Sequence, residues 1–396
     1  MTKEDINMSG RIRTGYRLLI VVLSLLVPAS VFAEQSSMRE YPYIYKSARA
    51  MGMGGAYTAV GGRVDSLFYN PAGLINIPQD KGWEVNLINL SAELGKNVQD
   101  VYKDAKDAAD VGDLNGDGKT DDDRLRAMVD VLNKYRGSNL HGLIADFSSI
   151  GKSWDSWAFG VGGIGSAKLD TMIHQGFGEQ GFAEMNANLT TGGLGGVSIG
   201  VADNVFVGLA VKSLHRDSLT HNFSAQDNLG DTSNLQDEYV KSGDAVGADL
   251  GVIWKFGPNS DLNPTFGASI MNVGDLKFGD AGKIPQSVNL GIAINPEITW
   301  SRRLTVAADY IDLLDNYKQD KDIAKRMRMG AELQLFDIWP VELALRAGVY
   351  NNAPTAGFDL RLLILSVTYA MYTEELGAYA GQDKDKRQLI TLNLGW

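Results

Sequence analysis

Apolar and polar side chains alternate with a period of two residues through most of the chain. The segment 204–216, for example, places three valines and a leucine on one face and mostly small or polar residues on the other. A period of two is typical of β-strands, because successive side chains point to opposite faces. We count fourteen such segments. They cover residues 83–94, 139–149, 155–168, 183–201, 204–216, 243–256, 264–272, 286–295, 300–311, 325–335, 340–350, 355–362, 365–373 and 387–396.

The connections between these segments alternate between two kinds. One set is short, as at 202–203 and 363–364, and the other is mostly longer and polar, as at 95–138 and 217–242. An even number of strands, with short turns at one end and longer loops at the other, is the layout of a transmembrane barrel. Most segments also reach the roughly 9–11 residues that a tilted strand needs to cross a membrane. The pattern therefore predicts an all-β, fourteen-stranded antiparallel transmembrane barrel, closed so that no strand edge meets lipid.

The N-terminus has the three parts of a secretory signal peptide. Basic residues within 11–17 precede an apolar run at 18–27, and small residues follow up to Ala33. The apolar run is shorter than the roughly 18 residues of a membrane helix. We therefore expect residues 1–33 to be removed on export; an N-terminal membrane helix is the other interpretation.

The positions of the tryptophans support the membrane barrel. With both ends of the barrel on the periplasmic side, every tryptophan falls at or near the periplasmic end of a predicted strand. They are Trp83, Trp154, Trp157, Trp254, Trp300, Trp339 and Trp396. Indole rings prefer the boundary between membrane and water. The last segment ends in an aromatic residue, which resembles the signal read by the barrel assembly machinery. We expect the cell outer membrane as the location, and that machinery, membrane lipid and lipopolysaccharide as partners.

Two stretches of sequence resemble a known family. The first reads ARAMGMGGAYTAV at 48–60 and continues to YNPAGL at 69–74, and the second contains PTAGF at 354–358 and YTEELG at 372–377. Together they resemble the FadL-like superfamily of outer-membrane barrels. Its branches include transporters of fatty acids and aromatic hydrocarbons, PorV-like barrels of a secretion machine, and a TraF-like branch named after conjugation proteins. The resemblance implies fourteen strands, the number that the alternation also gives.

The same resemblance implies a plug inside the barrel. In the transporter branch, the segment before the barrel folds into the lumen and contains an Asn-Pro-Ala turn. By resemblance, residues 34–82 form the plug, Asn70, Pro71 and Ala72 form its turn, and residues 83–396 form the barrel. The local sequence agrees, because Asn-Pro is a turn starter. A periplasmic tail is the alternative interpretation of this segment.

Glycines within the third predicted strand suggest a lateral gate. The family's transporters release substrate sideways through a kink in that strand, which here holds Gly160, Gly162, Gly163 and Gly165, while the next strand holds four glycines within 192–196. Glycine inside a strand weakens pairing and marks bulges or close approach. A gate between the third and fourth strands is one hypothesis. The other is that these glycines only relieve crowding where the wall curves.

The long loop at 95–138, expected on the extracellular side, contains a calcium-binding pattern like that of an EF-hand. Its oxygen ligands would come from Asp113, Asn115, Asp117, the backbone carbonyl of Lys119, and Asp121. The pattern is incomplete, because Arg124 stands where the twelfth position needs an acid, so Asp122 or Asp123 would have to replace it. A helical pattern at 125–135 follows. The sequence thus predicts Ca²⁺ as the one possible cofactor, with an acidic solvated loop as the alternative.

The remaining motifs do not indicate an enzyme. The GVSIG sequence at 196–200 matches a hydrolase elbow, and GVGGIG at 160–165 matches a nucleotide-binding loop, but both lie within predicted strands. The four histidines are His141, His174, His215 and His221, and they show no metal-ligand spacing. Two of them, His215 and His221, are expected to form a solvated cluster with Asp217 in an outer loop.

Composition narrows the choice of function. The formal net charge of −11 argues against nucleic acid as a partner, because phosphate binding needs basic patches. The chain has no cysteine and therefore no disulfide. The resemblance favours passive uptake of a small hydrophobic compound through the outer membrane. The alternative is a non-permeating barrel that serves as a binding or assembly subunit in secretion or conjugation. A barrel enzyme acting on lipid is a third hypothesis, which the sequence does not favour.

Overall fold

Fourteen antiparallel strands form one closed barrel, in which the first strand pairs with the last. The computed structural model describes residues 40–111, 120–173, 183–223, 239–257, 260–296, 298, 303–338 and 340–396. The prediction of a fourteen-stranded antiparallel barrel is therefore confirmed. Within the described residues, none of the helices has the length and apolar character needed to cross a membrane.

The barrel strands keep their sequence order around the wall, with one small hairpin inserted between the seventh and eighth. The barrel consists of β1 (Glu84–Gly95), β2 (Asn139–Ser153), β3 (Trp157–Ile173), β4 (Ala183–Ala202), β5 (Val205–Phe223), β6 (Val240–Lys255), β7 (Thr265–Met271), β10 (Ser287–Ile294), β11 (Arg303–Tyr310), β12 (Met327–Ile338), β13 (Val341–Tyr350), β14 (Ala353–Leu362), β15 (Leu365–Glu375) and β16 (Lys384–Gly395). The hairpin is β8 (Leu276–Lys277) with β9 (Lys283–Ile284).

The predicted alternation separates an outward apolar face from an inward small or polar face. On β5, Leu209 and Val211 point outward and are 46% and 56% exposed, whereas Ala210 and Lys212 point inward and are buried. The other strands repeat this arrangement, which is why so many large apolar side chains are exposed on the outside of the wall. A transmembrane barrel has the same arrangement: lipid surrounds its apolar outer band, and its interior is polar.

The two ends of the barrel differ, and we name them by the chain. The inner rim is the end where β1 begins and β16 ends; the outer rim is the opposite end. Trp83, Trp154, Trp157, Trp254 and Trp396 all lie at the inner rim, whereas Trp300 and Trp339 lie outside the described residues. The inner rim is thus the end that the sequence predicts to face the periplasm.

The wall is taller on one side than the alternation predicted. Strands β2 to β6 have 15 to 20 residues, whereas most of the other barrel strands have between 7 and 12. The additional residues of β3 and β5 lie at the outer rim, as in the polar stretch 217–223. These positions extend beyond the band that lipid would cover, so their outward side chains need not be apolar.

The long loop at the outer rim contains two helices, α2 (Lys96–Ala109) and α3 (Thr120–Lys134), which pack against each other. The prediction of one short helix at 125–135 was therefore incomplete. The helix in the second half of the loop begins earlier than predicted, and the first half contains a helix that was not predicted. Residues 112–119, which include most of the predicted calcium ligands, lie outside the described residues.

The plug segment, residues 40–82, enters the barrel before β1 begins. It contains a short helix α1 (Ala48–Gly52) and two 3-10 helices, at Val64–Phe68 and Pro71–Asn76. Almost every residue between 44 and 77 is buried. The segment packs against wall strands from β2 round to β16 and so fills the lumen.

Candidate functional site: a filled lumen with a cavity at each end

Wall glycines make room for the plug segment. Gly208 on β5 pairs with Gly251 on β6, and a Cβ atom on either would overlap the turn at 70–72. On β12, a Cβ on Gly330 would overlap the backbone of Met53. Close approach of another chain segment is one of the few reasons to place glycine inside a strand. Much of the glycine content of the strands is therefore explained by contact with the plug segment.

The predicted turn residues attach the plug segment to the wall. Asn70 accepts a hydrogen bond from the backbone N–H of Ala72 at 3.1 Å and so caps the 3-10 helix that begins at Pro71. Its Nδ2 donates to the carbonyls of Thr58 (2.7 Å) and Val252 (3.0 Å). One buried side chain thereby joins two parts of the plug segment to β6. Asn70 caps the 3-10 helix in which Pro71 and Ala72 lie, and the role of the three residues in the plug stays a prediction.

A buried ion-pair cluster joins the plug segment to the strands β12 to β14; we call it the middle cluster. Arg49 donates from Nε and Nη2 to the two carboxylate oxygens of Glu332, at 2.8 and 2.7 Å. Glu332 also accepts from Arg346 at 2.6 Å, and Asp359 lies 2.8 Å from Arg63. Two-point contacts between guanidinium and carboxylate are strong and directional. The middle cluster therefore holds α1 in one position.

A second buried cluster, the outer cluster, lies nearer the outer rim. Lys46 contacts Glu374 on β15 at 2.9 Å, and Arg387 on β16 contacts Glu40 at 2.7 Å and Glu93 on β1 at 3.1 Å. All five side chains are at least 94% buried. Burying charge is costly unless it is paired, so these contacts must form together when the plug segment occupies the lumen.

Charged residues that the sequence analysis did not select complete the outer cluster. His141 is fully buried, with Nε2 2.9 Å from Glu93 and Nδ1 2.7 Å from Asp170. Burial would raise the pKa of Glu40, but the surrounding cations, Arg387 first among them, hold that pKa well below its ordinary range. Glu40 therefore stays ionised within the lumen and keeps its ion pairs.

A small aromatic cavity of about 80 Å³, the outer cavity, lies between the plug segment and the outer rim. Its lining is mostly tyrosine, phenylalanine, methionine and isoleucine, with three cationic side chains. The lining includes the aromatic residues Tyr41, Tyr43, Tyr45 and Phe68 and the two methionines Met51 and Met271. Such a lining suits a small apolar molecule. The loop hairpin β8–β9 covers the cavity through Ile284.

A much larger space, the inner vestibule, opens at the inner rim on the other side of the plug segment. Its volume is about 1170 Å³, and its lining carries both signs of charge, including Arg303 and Arg361 beside Glu342 and Asp337. The plug segment separates the inner vestibule from the outer cavity. The segment's buried side chains occupy the lumen between the two spaces.

The four glycines of the predicted gate divide between the two faces of β3. Gly160 and Gly162 face the lumen, where a Cβ atom would press on Leu74 and Phe147 respectively; Gly163 and Gly165 face outward into open space. β3 pairs with β2 and with β4 along its whole length without a register shift. The wall is thus continuous at this position, and crowding accounts for the two lumenal glycines. Opening of a gate here stays a prediction.

Other candidate residues also have defined positions. Ser198, in the GVSIG motif, is fully buried and donates a hydrogen bond to the carbonyl of Ala72 at 3.0 Å, so its hydroxyl attaches the plug segment. His215 is exposed, with ring nitrogens 3.2 Å from Asp217 and 2.9 Å from Asp244. Of the calcium residues, only the backbone of Asp121 is described, in α3. The described residues hold no group of side chains arranged for a metal ion.

The strands and the filled lumen define a closed fourteen-stranded barrel with an internal plug segment. No known protein family matches the sequence. No curated protein matches the sequence either.

Solved structures share the fold. Two crystal structures of the Pseudomonas putida toluene transporter TodX have a TM-score of 0.50 with this chain, at 14% and 13% sequence identity, and cover 90% of it and 98% or 99% of their own length. The monoaromatic hydrocarbon channel CymD has a TM-score of 0.49 at 14% identity, with 89% of this chain and 98% of CymD covered. The chain therefore has the fold of TodX, which is the fold that the resemblance to the FadL-like superfamily implied.

Proposed function

We propose that the protein is an outer-membrane barrel for passive uptake of a small hydrophobic compound. The observation that carries the proposal is the outer cavity, an aromatic space between the outer rim and the plug segment. Its position lets a molecule that has passed the outer loops leave water on the outer side of the plug segment. The shared fold with a toluene transporter supports the same class of compound.

The size of the outer cavity sets a condition on transport. An engineered cavity of about 150 Å³ binds benzene, and the outer cavity has about 80 Å³. A monoaromatic compound therefore enters only if side chains such as Met51 and Met271 move. Methionine suits this role, because its unbranched chain adopts several shapes at low cost. Passage beyond the cavity requires displacement of the plug segment or an opening in the wall, such as the one proposed between β3 and β4.

Filling the cavity tests the proposal. Met271 lines the outer cavity, and Met271→Phe reduces its free space. The larger ring overpacks the cavity when the compound is bound, at a cost of ~1–3 kcal/mol. This cost lowers the fraction of cavities that hold the compound about fivefold or more. The measurement is the rate at which cells that express the full chain take up the fluorescent probe 1-N-phenylnaphthylamine. We expect a faster rate than in cells without the protein, and a slower rate for Met271→Phe.

A matched control is available on the lipid-facing side. Met329 on β12 points outward and is 46% exposed, so Met329→Phe adds the same side chain without entering the lumen. Its uptake rate should equal that of the unchanged protein. If the unchanged protein gives no more uptake than cells without it, passive uptake is wrong.

The filled lumen favours a second function, a non-permeating barrel that serves as a binding or assembly subunit of a secretion or conjugation system. Its specific support is that ion pairs of the middle and outer clusters attach the plug segment to four wall strands, β12, β14, β15 and β16. Absence of probe uptake, together with co-purification of other envelope proteins, would support this function.

In either case we propose the outer membrane as the location. The outward apolar face needs lipid around it, and the five described tryptophans form one girdle at the inner rim. Phospholipid, lipopolysaccharide and the barrel assembly machinery follow as partners. We keep Ca²⁺ at residues 113–121 as a separate proposal, tested below.

A further inference from the structure

Four aromatic rings and one lysine gather on the outside of the wall at the inner rim; we call them the rim cluster. Trp154 stacks on Trp157, with ring centroids 4.1 Å apart and planes 10° apart. Trp83 lies edge-on to Trp154 at 6.4 Å and to Phe159 at 5.8 Å. Lys152 is directly opposite Phe159 in the β2–β3 register. The cluster is therefore a continuous surface built by the start of β1 and the β2–β3 hairpin.

The ammonium group of Lys152 is positioned by rings and not by acids. Its Nζ lies 5.2 Å from the ring centroids of both Trp83 and Trp154, within the range of cation–π attraction. No carboxylate in the described part of the chain forms an ion pair with it. Lys81, at the same rim, instead contacts Asp337 and Glu342 at 2.8 and 2.7 Å. Lys152 thus keeps its N–H donors available for an anion that comes from outside the protein.

The surroundings of the rim cluster favour a ligand with both a charged group and an apolar chain. Ser153 points inward, where it donates to the carbonyl of Ile75, so the adjacent Lys152 points outward. Ile150 and Val161 continue the outward face away from the rim and are 37% and 47% exposed. An apolar strip that ends in aromatic rings and a cation matches the profile of a lipid, from acyl chain to headgroup.

We propose that the rim cluster binds the phosphate of an anionic phospholipid in the periplasmic leaflet. The lysine contributes a compact charge that contacts phosphate oxygens, the stacked indoles cover the glycerol region, and the apolar strip carries one acyl chain. This site rests on the proposed outer-membrane location, in which both chain ends of the barrel, and so the inner rim, lie at the leaflet that contains phospholipid headgroups. The site acts as an anchor that fixes the depth and rotation of the barrel, and it does not depend on what passes through the lumen.

Native mass spectrometry of the full chain in detergent tests this site, with phosphatidylglycerol and phosphatidylcholine offered in competition. We expect the unchanged protein to bind phosphatidylglycerol about fivefold more tightly, the factor that corresponds to ~1 kcal/mol for one lysine beside an anionic headgroup. Lys152→Gln should reduce this preference to about one. Trp154→Leu keeps the charge and removes a ring face, so the preference should fall about twofold or more.

The matched control removes the same charge at the opposite rim. Lys384 begins β16 at the outer rim and is exposed, so Lys384→Gln should leave the preference unchanged. Equal losses from Lys152→Gln and Lys384→Gln would reduce the effect to net charge and overturn the proposal, as would an unchanged preference in Lys152→Gln. A gel run in cold detergent serves as the folding control. Each variant should stay folded under this condition before its lipid binding is compared.

Discussion

Glu332 is the residue whose replacement most directly tests how the lumen is closed. It lies on β12, is buried, and accepts both guanidinium groups of the middle cluster, Arg49 from the plug segment and Arg346 from the wall. Glu332→Gln keeps the shape of the side chain and removes its charge. The two guanidinium groups, of Arg49 and Arg346, then lose their shared carboxylate. Asp359 still contacts Arg346, at 3.4 Å.

The size of the effect follows from burial. Removing one partner of a buried ion pair costs roughly 3–5 kcal/mol. The amide can still accept one hydrogen bond, and Arg49 keeps its contacts to Tyr57 and Gly61 at 2.9 and 3.0 Å, so we expect the lower end of that range. Since 1.4 kcal/mol corresponds to a tenfold change, about 3 kcal/mol raises the population with a displaced plug segment roughly a hundredfold.

Ionic conductance reports that population. A barrel with its lumen filled carries little current across a planar lipid bilayer, and displacement of the plug segment opens an aqueous path between the rims. We expect the unchanged protein to be silent for most of the recording and Glu332→Gln to show openings that are roughly a hundred times more frequent. The unfolding free energy of the wall should change less, because the strand pairing is intact.

Glu342 is the matched control. It lies on the neighbouring strand β13 and pairs with Lys81, whose side chain is 40% exposed at the inner rim. Partly exposed pairs contribute ~1 kcal/mol or less, so Glu342→Gln should leave the conductance nearly unchanged. The reasoning is refuted if Glu332→Gln stays as silent as the unchanged protein, or if both variants open to the same extent.

Two further predictions concern glycine and calcium. Gly251→Val places atoms inside the Asn70 turn and should lower the stability of the barrel by at least about 3 kcal/mol. Gly165 faces open space, so Gly165→Val should be tolerated. Thermal unfolding followed on a gel measures both variants. Asp117→Asn should weaken Ca²⁺ binding to the full chain about tenfold or more in calorimetric titration, and a chain that binds no Ca²⁺ before the change would contradict the calcium loop.

The wall could be predicted from sequence because lipid imposes one simple rule on it. Every outward position within the membrane must be apolar, so residues such as Val207 and Leu209 repeat the strand period visibly. The same rule explains the error in strand length. Above the lipid, as at Asp217, outward side chains are free to be polar, and the alternation ends before the hydrogen-bonded strand does.

The lumen could be predicted only in part. The Asn70 turn was found through resemblance, but its contact with Gly251 needed the register between strands. The high glycine content of the strands was the available signal, since Gly208, Gly251 and Gly330 all face the plug segment. We had interpreted the glycines of β3 as a gate or as relief of crowding where the wall curves; a Cβ atom on either lumenal glycine would press on a neighbouring side chain, and the gate stays a prediction. Helix α2 also had a signal, in apolar residues that recur at helical spacing.

Buried charge was the feature that sequence could not indicate. Glu93 and His141 lie on different strands, and Glu332 lies 283 residues from its partner Arg49. Nothing local distinguishes them from charged residues in a solvated loop. Only the closed barrel brings Glu40, Lys46 and Arg387 of the outer cluster within contact distance.

The central claim is that the chain crosses a membrane as a barrel with an apolar outside and a filled inside. The absence of cysteine makes a direct test simple, because single cysteines in the reconstituted full chain can carry a spin label. Positions 207, 209 and 211 of β5 point outward, and position 342 of β13 lines the inner vestibule. We predict that labels at 207, 209 and 211 collide freely with oxygen dissolved in lipid, and that the label at 342 is reached by a water-soluble relaxing agent. Equal access of that agent to all four positions would contradict the account.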